Sequence, residues 1–305
     1  MEFSLSTAWN ADKAQNGRQI AEEISNLGLK NLELNFSLSE KTVEEIFQFC
    51  REMDLSVTSL HNYCPFPKEL QREIALPDCF SLSSLDENER KKAIEHTKNT
   101  IATAKKFSAR AVVLHSGRVE MEDRTRRLIA LFNAGESKNS QFLDMREDFI
   151  QERKKKAGEY FSQIIKSLNE LSDMAIQSGI LLGIENRFYY REIPSKDEFA
   201  FIFHKFSAKN VGYWHDVGHA FIHEQLGFMN EGELLKNYGK YLIGFHLHNV
   251  KNLDDHQAPT NGDFDFNKLK PFMKSDTIKV IEAHSKASPQ DIKDSIKFLE
   301  GVFHA

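Results

Sequence analysis

Residues 241–259 read YLIGFHLHNVKNLDDHQAP, an apolar run that ends in histidines and carboxylates. The run at 242–248 is short and rich in branched and aromatic side chains, which predicts a buried strand. Its polar end carries His246 and His248, and Asp254 and His256 follow within a few residues. One polar strand end means little, because most such groups are simply hydrogen-bonded. The pattern becomes informative if other strands of the chain end in the same way.

Seven further apolar runs have the character of strands. They cover residues 2–8, 30–35, 55–61, 110–115, 180–185, 211–216 and 277–283. Each predicted strand is followed by a segment whose apolar residues recur three and four positions apart, as in an amphipathic helix. Eight strand–helix units predict parallel strands joined by helical crossovers.

Eight such units are what a (β/α)8 TIM barrel requires, and we predict this α/β fold as a single domain over residues 1–305. No G-x-G-x-x-G follows the first strand, which disfavours a doubly wound open sheet. Two connections, at 62–87 after the third strand and 117–150 after the fourth, are too long for simple turns. In a barrel they would lie on the face that carries active sites, so we expect them to act as lids.

The composition is that of an ordinary globular protein, with 40% hydrophobic and 28% charged residues among 305. The net charge of −5 argues against a protein that coats nucleic acid or an anionic membrane without specificity. The N-terminal residues lack the layout of a secretory signal, and no apolar stretch approaches the roughly 18 residues of a membrane helix. Three cysteines without C-x-x-C spacing indicate neither a disulfide framework nor a thiolate zinc site, so we expect a cytoplasmic protein.

Six of the predicted strands end in imidazole or carboxylate groups, which a closed parallel barrel would gather on one rim. These candidate ligands are His61, His115, Glu185, Asp216, His219, His246, Asp254, His256 and Glu282. Histidines and carboxylates without thiolates suit zinc, manganese, cobalt, iron or magnesium. Without a cation, so many such groups in one low-dielectric mouth would repel or desolvate one another. The sequence therefore predicts a divalent metal site.

Several segments resemble the signature segments of the xylose-isomerase-like TIM barrels. These segments are LLGIENR, VGYWHDVGHA, GFHLHNVKNLDDHQAPTNGDFDF and VIEAH. The superfamily includes sugar and sugar-phosphate isomerases and epimerases, and the endonuclease IV type of abasic-site nuclease. The resemblance runs from the third predicted strand to the eighth.

The resemblance implies that one divalent metal is held by Glu185, Asp216, His246 and Glu282. It also implies that Glu185 and Glu282 act as acid and base, while the metal stabilises an enediolate. The residues expected to contact substrate are His219, His61, Arg187, Glu33 and His248. Arg187 and Arg191 follow the fifth strand closely enough to bind a phosphate or carboxylate.

We therefore expect a metal-dependent isomerase or epimerase that acts on a sugar, a sugar phosphate or a related polyol or keto acid. The expected cofactor is zinc, manganese, cobalt or magnesium, with one ion, or alternatively two or three ions, per chain.

The alternative is an abasic-site phosphodiesterase with three zinc ions, for which the nine candidate ligands have matching residue types. The segment LHSG at 114–117 departs from the His-Pro-Gly sequence usual in those nucleases, and Thr260 stands where they have glycine. A third reading is a barrel that binds a metal or a sugar without turnover.

Overall fold

Eight parallel strands close into a barrel in the computed structural model, which describes residues 2–71, 79–206, 208 and 210–304. The barrel strands are β1 (Ser4–Ser6), β2 (Asn31–Leu34), β3 (Ser56–His61), β4 (Ala111–Leu114), β5 (Leu181–Glu185), β6 (Val211–Asp216), β7 (Leu242–Leu247) and β10 (Ile278–Ile281). Each pairs with its neighbour along the chain, and β10 closes the barrel against β1. Every barrel strand lies within a range predicted from sequence, so the predicted (β/α)8 fold is confirmed.

Helices alternate with the strands and cover the outside of the barrel. They are α1 (Gly17–Ser25), α2 (Glu40–Met53), α3 (Glu87–Lys106), α4 (Thr125–Asn133), α5 (Ser140–Ser178), α6 (Lys196–Phe206), α7 (Val217–Gln225), α8 (Glu233–Tyr238) and α9 (Pro289–His304). Local sequence fixes several ends: the Ser39 hydroxyl caps the first turn of α2, and Gly179 ends α5 at a φ of 69° that glycine adopts readily. Among the described helices, none combines the length and apolarity needed to cross a membrane.

The connection after β4 is long, as predicted, but much of it is helical. It contains α4 and the first turns of α5, a helix of 39 residues. Apolar side chains at helical spacing explain this, because Leu128 and Phe149 are fully buried against the body of the protein. The connection after β3 contains no α-helix in the residues that the structure describes, and 72–78 lie outside them.

One short element was not predicted: β8 (Asn249–Lys251) and β9 (Asp254–Gln257) form an antiparallel hairpin beyond the end of β7. Asn252 and Leu253 make its two-residue turn, with φ of 54° and 55°. Positive φ at both positions is the geometry that tight hairpins favour. The hairpin carries the segment DDH over the rim of the barrel.

The barrel interior is filled by side chains, with Trp214 at its centre. This ring packs with Ala111, Val113, Ile278 and Val280. It lies so close to β7 that a Cβ at Gly244 would fall 2.3 Å from it, which explains glycine there. Because side chains alternate along a strand, the next inward positions stand above this layer, at the rim. Those positions on β5, β6 and β7, and the residue directly after β10, hold Glu185, Asp216, His246 and Glu282.

Candidate metal centre and cavity

Four of the predicted ligands meet at the carboxyl ends of their strands, around His246. The Nδ1 atom of His246 lies 2.6 Å from Oε1 of Glu185, 3.1 Å from Oε2 of Glu282 and 3.7 Å from Oδ2 of Asp216. All four side chains are buried, and one ligand atom from each lies within 4.8 Å of the others. We refer to Glu185, Asp216, His246 and Glu282 as the central cluster.

The other ring nitrogen of His246 is also held by a carboxylate. Its Nε2 lies 3.1 Å from Oε1 of Glu33, whose second oxygen accepts a hydrogen bond of 2.7 Å from the Ser59 hydroxyl. Glu33 is fully buried. A carboxylate on the far nitrogen fixes the orientation of an imidazole ligand and raises its basicity. Glu33 is therefore placed to orient a ligand rather than to touch a substrate.

The central cluster carries more negative than positive charge. Burial alone would lower the pKa of His246, but Glu282, Glu33 and Glu185 raise it well above its usual value. Burial would raise the pKa of Glu282, yet His246 and His256 hold it well below its usual range. A buried histidine that is kept charged by carboxylates marks a site that demands positive charge. A divalent ion meets that demand and needs a neutral imidazole, so the donor set fits such a cation.

A second group of possible ligands, which we call the first-side cluster, consists of His61, His115 and Glu185. Nε2 of His115 lies 3.0 Å from Oε2 of Glu185, and Nε2 of His61 lies 4.0 Å from the same oxygen. Burial, followed by the proximity of His115, lowers the pKa of His61 to about 3. Arg187 contacts both His115 and Glu185 through Nη1. His61 and His115 therefore lie beside the central cluster, and the guanidinium of Arg187 lies among them.

A third group, the second-side cluster, contains Asp216, His219, His248 and His256. Asp216 caps α7, since its Oδ1 accepts a 2.7 Å hydrogen bond from the backbone N–H of His219. The same oxygen lies 2.9 Å from Nε2 of His248. The backbone N–H of His256 donates to Nδ1 of His248 at 2.9 Å, so the proton of the neutral ring is on Nε2, facing Asp216. His248 thus helps to fix the orientation of the Asp216 carboxylate through this hydrogen bond.

Asp254, a predicted ligand, lies outside this cluster, whereas its neighbour Asp255 contacts two histidines of the cluster. Alternation along a strand would put Asp254 and His256 on one face, but His256 has a φ of 53°, which interrupts the extended backbone. Oδ2 of Asp255 lies 3.1 Å from Nδ1 of His256 and 3.5 Å from Nε2 of His219. Asp254 instead faces Lys286 at 3.3 Å, with 60% of its side chain exposed.

A cavity of about 540 Å³ opens above the central cluster. The predicted site residues that line it are His61, His115, Glu185, Arg187, His219, His256 and Glu282. Within the described part of the chain, Glu33 and His248 do not line it, because they lie beneath its floor. Arg191 is not among the lining residues either, and donates to the Met121 carbonyl at 3.1 Å.

Eleven other lining residues were not predicted, among them Asp255, Arg126 and His284. His284 stacks on His256 with ring centroids 3.8 Å apart. Arg126 donates from Nε and Nη2 to the Tyr189 hydroxyl, at 3.1 and 2.9 Å. Arg126 lies on α4, in the segment interpreted from sequence as a loop, so its place on a helix beside the cavity was not predicted. The sequence VIEAH did place His284 two residues after Glu282, and this spacing was its one available signal.

Residues 21–302 match the sequence profile of a family described as "Xylose isomerase-like TIM barrel". An uncharacterized protein of Methanocaldococcus jannaschii is 27% identical to this chain over 213 residues, which is 68% of this chain and 67% of the relative.

Solved structures of low sequence identity share the fold over nearly their full length. A D-tagatose 3-epimerase-like protein superposes with a TM-score of 0.66 at 18% identity, covering 100% of this chain and 97% of the other. A 3-keto-D-glucoside 4-epimerase from E. coli gives 0.67 at 15% identity, covering 99% of each chain. The IolI protein, solved with a bound zinc atom, gives 0.68 at 16% identity, covering 99% and 98%.

Proposed function

Because the chain belongs to the xylose isomerase-like TIM barrel family, we propose that it is a metal-dependent isomerase or epimerase acting on a sugar, a sugar phosphate or a related polyol or keto acid. One observation carries the proposal. Glu185 and Glu282 approach the same nitrogen of His246 from two strands, at 2.6 and 3.1 Å, on the floor of a cavity of about 540 Å³. That volume is in the range of small-molecule sites.

The proposed chemistry is proton transfer between adjacent carbons. One of the two glutamates takes a proton from the carbon beside a carbonyl, and the other returns a proton to the neighbouring carbon or the opposite face. The central cluster would hold one zinc, manganese, cobalt or magnesium ion, which supplies positive charge to stabilise the negative charge that develops on the substrate oxygens. Glu33 and His248 keep His246 and Asp216 in place for this role.

The residues proposed to contact substrate are those that reach the cavity. His61 and His219 lie on opposite sides of the central cluster and can hydrogen-bond to sugar hydroxyls. Arg187 lines the cavity too, but its guanidinium already contacts Glu185, His115 and Glu192. Arg126, an exposed arginine on α4, is the cation better placed to meet a phosphate or carboxylate of the substrate.

Deuterium exchange tests the proposal and does not require that the product be identified. Metal-loaded protein is incubated in heavy water with a panel of ketoses, aldoses, their phosphates and keto acids, and carbon-bound deuterium is measured by mass spectrometry. We expect exchange with at least one compound, and a loss of about 10²-fold or more in Glu282→Gln because a general acid–base group contributes that much. Glu231→Gln, at an exposed ion pair with Lys268, is the matched control and should keep full activity.

A fully active Glu282→Gln variant would remove the acid–base role of that residue. Absence of exchange and of new product across the panel, with saturable sugar binding, would favour a barrel that binds without turnover.

A second candidate function is cleavage of DNA at abasic sites by a multinuclear zinc centre. The observation in its favour is that both side clusters lie against the central cluster and share Glu185 or Asp216 with it. Two or three metal ions there would clamp a phosphodiester. This candidate predicts cleavage of a duplex with one abasic site, lost in His115→Ala and in His256→Ala. An uncleaved duplex after incubation with zinc-loaded protein would eliminate it.

A further inference from the structure

Arg187 lies where a cation would bind in the first-side cluster. Its Nη1 atom contacts Nε2 of His115 and Oε2 of Glu185, which are possible ligand atoms of two of the three residues in that cluster. Arg187 stands two residues beyond Glu185, at the end of β5, so its side chain turns back over the rim. Only 8% of the side chain is exposed. The guanidinium is therefore a part of the cavity floor.

A second carboxylate holds the guanidinium in this position. Nη2 of Arg187 lies 3.3 Å from Oε1 of Glu192, and the other oxygen of Glu192 accepts a 2.8 Å hydrogen bond from the Tyr189 backbone. The backbone carbonyl of Glu192 accepts a further bond of 2.8 Å from Arg153. Glu192 is buried, so its charge and that of Arg187 stabilise one another. This buried ion pair therefore opposes movement of Arg187 away from the cavity floor.

The segment that carries Arg187 and Glu192 is also fixed through its backbone. The Val119 N–H donates to the Arg191 carbonyl at 2.9 Å, and the Ile193 N–H donates to the Gly117 carbonyl at 2.9 Å. These bonds join the chain after β5 to the chain after β4. The main chain that carries Glu192 is thus fixed on both sides of that residue, and Glu192 in turn holds the guanidinium.

We propose that Arg187 is a built-in cation that keeps metal ions out of the first-side cluster. An arginine keeps its charge at any physiological pH, so it supplies a permanent positive charge to Glu185 and His115. Its N–H group uses the lone pair of His115 that a metal ion would need. A divalent ion at the same atoms would in addition lie next to a like charge in a buried site. The inference rests on the proposed function, in which the metal ion is bound in the central cluster. It explains why a metal ion would not also bind in the neighbouring first-side cluster.

Metal content is the measurement that tests the inference. The wild-type protein and Arg187→Gln are stripped of metal, incubated with excess zinc, desalted and analysed for zinc per chain by elemental analysis. We expect the variant to hold one more equivalent than the wild type. Adding His61→Ala to Arg187→Gln should remove the extra equivalent, because it deletes a ligand of the first-side cluster and of neither other cluster.

Two further variants serve as controls, one for the loss of a positive charge from the cavity and one for metal binding by the introduced side chain. Arg126→Gln removes a charge from the same cavity but from none of the ligand groups, and should leave the zinc content at the wild-type value. Arg187→Leu replaces the guanidinium with an uncharged side chain that has no ligand atom, and should gain the same equivalent as Arg187→Gln. Circular dichroism and thermal unfolding establish that each variant is folded.

Equal zinc content in wild type, Arg187→Gln and Arg187→Leu would overturn the inference. So would an additional equivalent that persists in the double variant with His61→Ala. Failure of the proposed function is a separate result, because it consists of no exchange or turnover by the wild type, and the difference in zinc content between variants is read without any substrate.

Discussion

At the scale of single residues, the site is organised by contacts between carboxylate oxygens and the ring nitrogens of histidines. Glu33 holds one nitrogen of His246 while Glu185 and Glu282 face the other, and Asp255 bridges His219 and His256. Sequence could predict the members that stand at strand ends, because strand period fixes their direction. It could not distinguish Asp254 from Asp255, since that choice depends on the positive φ of a single residue in an irregular hairpin.

The two aspartates make a matched pair for mutation. We expect Asp255→Asn to lower the pKa of His256, because burial opposes its charge while Asp255 is the leading cause that raises it. Metal-free Asp255→Asn should lose about 1–2 kcal/mol of unfolding free energy, and Asp254→Asn, at an exposed site, less than about 0.5 kcal/mol. Urea unfolding and histidine NMR titration measure both effects. Equal effects of the two substitutions would contradict the placement of Asp255.

At the scale of elements, the regular barrel was predictable and the pieces that decorate it were not. All eight barrel strands stand out as apolar runs because both faces are buried. The hairpin of β8 and β9 is only three and four residues per strand and largely polar, so it gives no periodic signal. α4 was missed because its nine residues stand inside a connection that was interpreted as a loop, although their apolar side chains are spaced as in a helix. Both unpredicted elements lie over the cavity, where a specific pocket takes precedence over regular structure.

Asp216 is both the N-cap of α7 and a proposed metal ligand, and two substitutions can separate these roles. We expect Asp216→Asn to keep the helix cap, since asparagine caps as well as aspartate, while its metal affinity falls because the charge is lost. Asp216→Ala should lose the metal too and, in metal-free protein, should unfold about 1 kcal/mol more easily than Asp216→Asn. Elemental analysis and urea unfolding provide the two readouts. Equal stability of the two variants would show that the cap contributes nothing.

At the scale of the whole molecule, the buried histidines divide into two populations with opposite effects of pH. Carboxylates raise the pKa of His246, His219 and His256 despite their burial, so their contribution to stability is present at low pH and is lost as pH rises through these raised values. Burial lowers the pKa of His223 and His284 to about 4. Because the folded state resists protonation of these two residues, their contribution to the free energy of unfolding is fully present above pH 6.5. It is lost as pH falls toward 4.

His223 isolates the second effect, because it is buried away from the central cluster and its Nε2 donates to the Phe188 carbonyl at 2.9 Å. Between pH 6.5 and 4 the unfolded chain binds a proton that folded His223 does not, so the free energy of unfolding rises with pH. At pH 5 this one residue should reduce the stability of metal-free protein by about 2 kcal/mol relative to pH 7. Urea unfolding of His223→Gln, which keeps an N–H donor, should show a correspondingly smaller loss. Parallel losses in both proteins would refute the effect.

The position of Trp214 beneath the site gives the protein an internal fluorophore. Its indole lies 5.2 Å from the ring of His246, edge to face, and the chain has just one other tryptophan, Trp9, whose N–H is bonded to the Ala287 carbonyl. Any event that changes the charge on His246 changes the electric field at the indole. The emission of a Trp9→Phe protein would therefore follow occupancy at the floor of the barrel in real time, without an added dye.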